Sequence, residues 1–339
     1  MSSTPPTTAG SRPRGMLVMR DGLAADLFDA EHRRALDDLL DLVSPTSTAV
    51  LDHPRLDEVE VLITGWGCPR IGAGELDRMP SLRVIHHAAG TVKEHLDPEV
   101  WRRGIVVTSA AAANAIPVAE YTLAMILLAG KAAPSLAAAY RDDPAADFGP
   151  ALAVVGNHRR RIGILGASKV GRRVLELLRG FDLDLAVSDP HLGVDDPVRG
   201  SAQVMELDEL FAWSDVVSIH APLLPETIGL VGRRQLALLR DGATLVNTAR
   251  GAIVDHDALL DEARSGRLHA ILDVTDPEPL PVGHPLLSLP TVVLTPHIAG
   301  ALGNELHRLG AAVVAEVRRR AAGEAPLQAV PLEALAAMA

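Results

Sequence analysis

The feature that most constrains this chain is its rhythm. From Met16 to about Leu294, short apolar runs of strand length alternate with stretches of helical spacing. Such alternation predicts an α/β architecture with parallel sheets, because each strand–helix–strand unit returns the chain to the same edge of a sheet. In the first part the strand-like runs are Leu17–Met19, Val61–Thr64, Val84–His86 and Ile105–Val107, with helical spacing over Glu31–Leu42. A mostly apolar helix pattern runs from Val118 to Leu128. Its longest apolar stretch, Leu123–Ala129, reads as a buried helix too short to span a bilayer. The polar stretch Arg141–Pro150 reads as a connection. The second part has strand-like runs at Ile162–Leu165, Leu183–Val187, Val216–Ile219, Thr244–Val246, Ala270–Leu272 and Val292–Leu294. A last helix pattern, from Gly303 to about Arg320, has no strand beside it and is expected to pack back on the first part. At 339 residues the chain has the length of two domains.

Composition narrows the function classes. The net charge is −11, and the only dense basic runs are Arg159-Arg160-Arg161 and Arg318-Arg319-Arg320, which read as solvated flanks. That argues against a nucleic-acid binder, and it means that a site for a small anion needs local positive charge of its own. The single cysteine, Cys68, excludes a disulfide framework and a cysteine-based zinc site, and no metal is expected. The first fifteen residues, Met1 to Gly15, are rich in Ser, Thr, Pro and Gly and read as a disordered tail rather than a signal peptide. A cytoplasmic protein is the expectation.

In open α/β sheets, ligands bind outside the carboxyl ends of the strands. Read in order, the residues just past the strands of the second part are Gly166, Asp189, His220, the Thr248–Arg250 group, Asp273 and, after Thr295-Pro296, His297. The first turn, Gly163-Ile164-Leu165-Gly166-Ala167-Ser168-Lys169-Val170-Gly171, follows a strand and opens a helix, the context a dinucleotide fingerprint requires. Gly166 permits a tight turn and Gly171 close helix–strand packing, and a pyrophosphate would sit on the N–H groups near Lys169 and Val170. Ser168 replaces the middle glycine and could itself donate a hydrogen bond. Asp189, at the end of the next strand, suits an adenosine ribose diol and would repel a 2′-phosphate, so NAD is favoured over NADP. A turn Asp before Pro190 is the structural alternative.

Taken together, these residues resemble the D-isomer-specific 2-hydroxyacid dehydrogenases. The resemblance rests on Asp215-Val216-Val217-Ser218-Ile219-His220-Ala221-Pro222 with Thr227, on Leu245-Val246-Asn247-Thr248-Ala249-Arg250-Gly251-Ala252-Ile253-Val254-Asp255, on Leu272-Asp273-Val274 with Asp276-Pro277-Glu278-Pro279, and on Thr295-Pro296-His297-Ile298-Ala299-Gly300. Ala88-Ala89-Gly90 and Val118-Ala119-Glu120 also match family positions. The resemblance implies two α/β domains with a cleft between them. Residues 1–114 and about 302–339 would form the substrate domain, and 115–301 the NAD-binding domain. It further implies a homodimer and an enzyme that interconverts 2-hydroxy and 2-keto acids.

The same resemblance places the catalytic residues at Arg250, Glu278 and His297. The chemistry needs these types: an imidazole to take the hydroxyl proton, a carboxylate to orient the ring and balance imidazolium, and a guanidinium fork to bind the substrate carboxylate and polarise the reacting oxygen. Cofactor contacts are implied at Gly166, Ser168, Lys169, Val170, Gly171, Asp189, Ala221, Pro222, Thr227, Thr248, Ala249, Arg250, Asp273, His297 and Gly300, with Asp273 on the nicotinamide carboxamide. Ala89 and Gly90 would offer amides to the substrate carboxylate, and Trp66 could wall the pocket or pack under its loop. His220 reads as a support for the cofactor loop. Each triad residue has a bland alternative: Glu278 as a loop-surface carboxylate, His297 as a turn residue, Arg250 as a helix cap. The sequence departs from the family pattern at Ser168, in the shortened segment Arg267–Ile271, and at Gly90-Thr91-Val92-Lys93. Two alternatives remain: an NAD-sensing, corepressor-like binding protein, and oxidation of another oxyanion such as phosphite.

Overall fold

Parallel pairing of short apolar strands organises both halves of the chain. The computed structural model describes residues 12–335 and Met338, and it divides into two units. One unit runs to Asn114 and resumes at Leu302; the other is Ala115–Ala301.

The first unit holds β1 (Arg14–Val18), β2 (Asp41–Leu42), β3 (Val61–Thr64), β4 (Val84–His87) and β5 (Val106–Ser109), in the order β2-β1-β3-β4-β5, all parallel. Every residue of β3 and β4 is buried, as expected of parallel strands covered on both faces. The helix Leu306–Ala321 belongs to this unit and packs on the helices Leu23–Leu27 and Ala30–Leu39. The approach is close because residue 310 is glycine: a Cβ there would lie 1.9 Å from the Leu27 carbonyl oxygen.

Two expectations for this unit need correction. The expected disordered tail, Met1 to Gly15, is too long: Arg14 and Gly15 pair with Asp41 and Leu42 inside β1. A Gly15 Cβ would meet Leu42 Cδ2 at 2.9 Å, so the missing side chain lets the edge strand close in. The rest of that expectation, residues 1–11, lies outside the described residues. The helix expected to reach Leu42 stops at Leu39, because Leu40 turns extended and buries its side chain before β2 begins.

The second unit holds β6 (Arg160–Leu165), β7 (Leu183–Ser188), β8 (Gln203–Val204), β9 (Val216–Ile219), β10 (Thr244–Asn247), β11 (His269–Leu272) and β12 (Val292–Leu294). Their order is β12-β11-β10-β9-β6-β7-β8, all parallel. The chain winds outward from β6 in one direction through β7 and β8, then returns to the other side at β9. The topological switch therefore lies between β6 and β9, the place where such sheets open a crevice beyond their carboxyl ends. Arg160 and Arg161 are part of β6 rather than a solvated flank; Arg161 lies 5.8 Å from the Trp213 ring centroid and 3.7 Å from Asp215.

The apolar helix is also longer than the sequence pattern suggested. It spans Ala111–Gly130, 20 residues with an 18-residue window of mean hydropathy 1.5, which meets the length and composition for crossing a membrane. Here Ala119 and Ile126 enter the core cluster with Ile162, Ile164 and Val174, while Leu128 stays partly exposed, so one face only is buried. The expected connection Arg141–Pro150 contains the end of a helix, Ala133–Asp142, and the start of a short one, Gly149–Leu152.

Candidate active site

The turn after β6 is shaped by its two glycines. Gly166 has φ +95°, and a Cβ there would lie 2.6 Å from the Ala221 amide nitrogen. At Gly171 a Cβ would lie 2.1 Å from the Gly166 carbonyl oxygen. Both positions exclude any side chain, so the helix Lys169–Leu178 starts hard against the β6 and β9 ends. Ser168 is the N-cap of that helix: its Oγ accepts from the Gly171 amide at 3.3 Å. The N–H groups of Lys169 and Val170, like those of any first helical turn, have no intrahelical acceptor. Asp189 closes the turn, accepting from Ala167 N (2.7 Å) and His191 N (2.8 Å). Arg172 is engaged bidentately by Asp196, at 2.7 Å on both arms.

Past β9, His220 is buried and shares a 2.9 Å hydrogen bond from Nε2 with Ser218 Oγ. Burial pushes its imidazole down to about 3, so it stays neutral and serves as packing beneath the glycine turn. Ala221 is buried, and Thr227 Oγ donates to the Pro222 carbonyl (2.7 Å) while accepting from Leu224 N (2.8 Å), which fixes the loop after β9.

Past β10, Asn247 organises the next loop with both ends of its amide: Nδ2 donates to Arg250 O (2.9 Å) and Oδ1 accepts from Ala249 N (3.0 Å). The Ala249 amide is thereby committed within the loop. Arg250 follows in extended conformation, with Nη1 donating to the Ala249 carbonyl at 2.7 Å. Gly251 is required by packing, since a Cβ there would lie 2.0 Å from the Thr275 carbonyl. Thr248 is buried, its hydroxyl 2.9 Å from that of Thr122.

Asp273, 2% exposed, is the hub of the last loop. Its Oδ1 accepts from Thr295 Oγ1 (2.6 Å) and Ile298 N (2.8 Å), and its Oδ2 from Ala299 N (2.8 Å). Thr295 in turn accepts from Tyr121, whose hydroxyl lies at 2.8 Å. Desolvation, reinforced by the Asp273 charge, raises the Tyr121 phenol above its ordinary range and keeps it a donor. His297 sits in the left-handed region at φ +55°, held there by its N–H, which donates to both Asp273 O and Thr295 O at 3.0 Å. That conformation aims the ring so that Nδ1 meets Glu278 Oε1 at 2.6 Å. With Nδ1 engaged by a carboxylate, Nε2 is the nitrogen left for a reacting group. Gly300 follows directly, half-buried.

The structure thus brings the strand-end residues of the second unit to one edge of one sheet. Ala89, Gly90 and Trp66 belong to the first unit. Ala89 is buried past the end of β4, Gly90 lies against Asn114, and Trp66 follows β3 with its carbonyl accepting from Arg20 N. The cradle two glycines leave open, the helix N-terminus facing it and a carboxylate at the end of β7 fit a dinucleotide.

Comparison with known proteins agrees. Residues 123–299 match the family described as D-isomer specific 2-hydroxyacid dehydrogenase, NAD binding domain. The chain belongs to the D-isomer specific 2-hydroxyacid dehydrogenase family. It is 33% identical to the glyoxylate reductase of Thermofilum pendens over 277 residues, 78% of this chain and 80% of the reductase. It is 30% identical to the D-3-phosphoglycerate dehydrogenase of Archaeoglobus fulgidus over 271 residues, 78% of this chain and 50% of that protein. The chain therefore spans about half the length of the phosphoglycerate dehydrogenases it matches. Among solved structures, a phosphoglycerate oxidoreductase from Rhizobium etli superposes with a TM-score of 0.79 at 26% identity, covering 94% of this chain and 98% of that one. The segment matching the family's NAD binding domain contains every strand-end residue from Gly166 to His297. Two positioning residues, Tyr121 and Thr122, escaped the sequence reading, and Asn247 entered it as a motif residue without its role in the loop. Tyr121 and Thr122 carried a signal, being adjacent hydrogen-bonding side chains inside an apolar helix, where such groups need partners.

Proposed function

We propose that this protein is an NAD-dependent oxidoreductase that interconverts a 2-keto acid and the corresponding 2-hydroxy acid. The observation that carries the reading is the 2.6 Å pairing of His297 with Glu278 at the same sheet edge as Arg250, within the segment matching the family's NAD binding domain. The glyoxylate reductase among its relatives acts in the same chemical class.

A dinucleotide held by the Gly166–Gly171 turn and Asp189 would, when bound, supply the hydride chemistry at C2 of the keto acid. His297, protonated, gives its Nε2 proton to the carbonyl oxygen, so that keto acid, NADH and a proton become hydroxy acid and NAD. Glu278 balances the imidazolium and keeps the ring in one orientation while the proton moves. Arg250 binds the carboxylate and draws charge onto the reacting oxygen, supplying the positive charge that an acidic chain otherwise lacks. Thr248 and Asp273 order the loops that would hold the carboxamide. Ser168 accepts from Gly171 and so keeps its own proton for a pyrophosphate oxygen. Asp189 accepts from the ribose diol and repels a 2′-phosphate, and the engagement of Arg172 by Asp196 leaves that repulsion in place; both support NAD over NADP. Ala89 and Gly90 are assigned to the substrate carboxylate and Trp66 to the pocket wall, which makes the first unit the substrate domain. Exposed apolar side chains at Leu128, Tyr140, Leu152 and Val154 support a homodimer through the second unit. The single cysteine is in keeping with the cytoplasm.

The test is a panel of 2-keto acids, with and without a phosphate group, followed by nicotinamide absorbance. Turnover of at least one member is expected. Tight NADH binding with silence across the whole panel would replace this reading with a nucleotide-sensing one.

A further inference from the structure

The first unit carries a second cluster of ligand-type side chains, none of them among the site residues described above. Asp29, His32 and His307 each place one ligand atom within 4.8 Å of the other two. The fold explains why they meet. Asp29 is the N-cap of the helix Ala30–Leu39, its Oδ1 accepting from Glu31 N and His32 N at 2.9 Å, and His32 stands in the first turn of that helix. His307 stands near the start of the helix Leu306–Ala321, which packs on Ala30–Leu39. It precedes by three residues the glycine at which that helix comes against the Leu27 carbonyl. Three residues is the spacing of one helical face, so the contact that needs Gly310 also brings His307 to His32.

Two independent features mark this cluster as more than a polar patch. His32 Nδ1 and His307 Nδ1 are buried atoms with no hydrogen-bond partner, and a buried polar nitrogen left so costs stability. Second, His32 Nδ1 lies 3.4 Å from Asp29 Oδ1. That matches the separation of about 3.4 Å between neighbouring ligands around a tetrahedral zinc with bonds near 2.0–2.2 Å.

We propose that Asp29, His32 and His307 form a divalent-cation site, with Zn²⁺ the ion it suits best and water in the fourth position. Two imidazoles and one carboxylate are zinc ligands, and no cysteine is needed. The ion would clip the helix Leu306–Ala321 to the start of the helix Ala30–Leu39, joining chain segments far apart in sequence within one unit. Its role is structural, and it leaves the hydride-transfer residues untouched.

The test uses the full chain, stripped with chelator and titrated with ZnCl₂ by calorimetry, with bound metal counted by elemental analysis. One Zn²⁺ per chain is expected, with a rise of several degrees in melting temperature. His307→Gln should lose both. Asp29→Asn keeps an effective helix cap, so it should fold normally and still bind zinc at least tenfold more weakly. His297→Gln should bind zinc like the wild type. Absence of stoichiometric zinc, undiminished zinc in His307→Gln, or loss of zinc in His297→Gln would each overturn the proposal, the last by moving the ion to the His297–Glu278 pair.

Discussion

Replacing Asp273 by Asn is the sharpest test of how the reactive loop is held. The carboxylate receives three donors, Thr295 Oγ1, Ile298 N and Ala299 N, at 2.6–2.8 Å. An amide has one acceptor end. With its oxygen on the Thr295 and Ile298 side, its NH₂ faces the Ala299 N–H; flipped, it faces the Ile298 N–H. Either way a backbone donor in the loop loses its acceptor, and Asp273 and Ala299 are both buried. Leaving one buried donor unpaired costs about 1–3 kcal/mol. For a unit of this size that is a fall in melting temperature of roughly 2–12 °C. The loop that slackens carries His297, so kcat should fall with it. Thermal melting and steady-state kinetics on Asp273→Asn check both. A variant that melts like the wild type would refute the assignment of Asp273 as the hub, even if its NADH affinity changed.

Other consequences can be checked in the same way. In Gly171→Ala the new methyl would sit 2.1 Å from the Gly166 carbonyl, so the helix must back away from the turn. NADH affinity, read by fluorescence titration, should weaken at least tenfold, and wild-type affinity would mean the helix does not close on the turn as described. Ser168→Gly should weaken NADH binding severalfold, because the serine proton is then lost to the pyrophosphate; unchanged affinity would show that the hydroxyl only caps the helix. Burial holds the imidazoles of His86, His87 and His220 near 3, against an ordinary value of 6.5. The unfolded chain therefore binds more protons than the folded one between those values. Their contribution is complete above about pH 6.5 and is lost as pH falls toward 3, at about 1.4 kcal/mol per histidine per pH unit. The urea midpoint should accordingly drop from pH 7 to pH 5, and a flat profile would show that these rings charge without unfolding the protein.

Much of this was legible in the sequence because parallel strands announce themselves twice, once as apolar runs and once by the residue that follows each run. β6, β7, β9, β10, β11 and β12 were read in place, and so was the order of residues past their ends. The family follows from the combined motifs. What escaped was what periodicity does not encode. β2 and β8 have two residues each, too short for any alternation to show. Gly15 looked like tail composition, although its missing side chain is what admits Leu42. In the site, sequence could nominate Asp273 and His297 but not the bonds that join them, which depend on His297 adopting a left-handed backbone and on Tyr121 arriving from a helix more than 150 residues earlier. Sequence could nominate Ala249 as a cofactor contact, but not the commitment of its amide to Asn247 within the loop.

The central claim is that His297, oriented by Glu278, moves the proton while a separate part of the same unit holds the dinucleotide. The most direct measurement is a paired one on His297→Gln: NADH affinity by fluorescence titration, and turnover of the best keto acid by nicotinamide absorbance. The account predicts near wild-type affinity with turnover reduced by about 10²–10⁴-fold, the usual range for removing a general acid–base group. Turnover at the wild-type level, with the dinucleotide still bound, would contradict it.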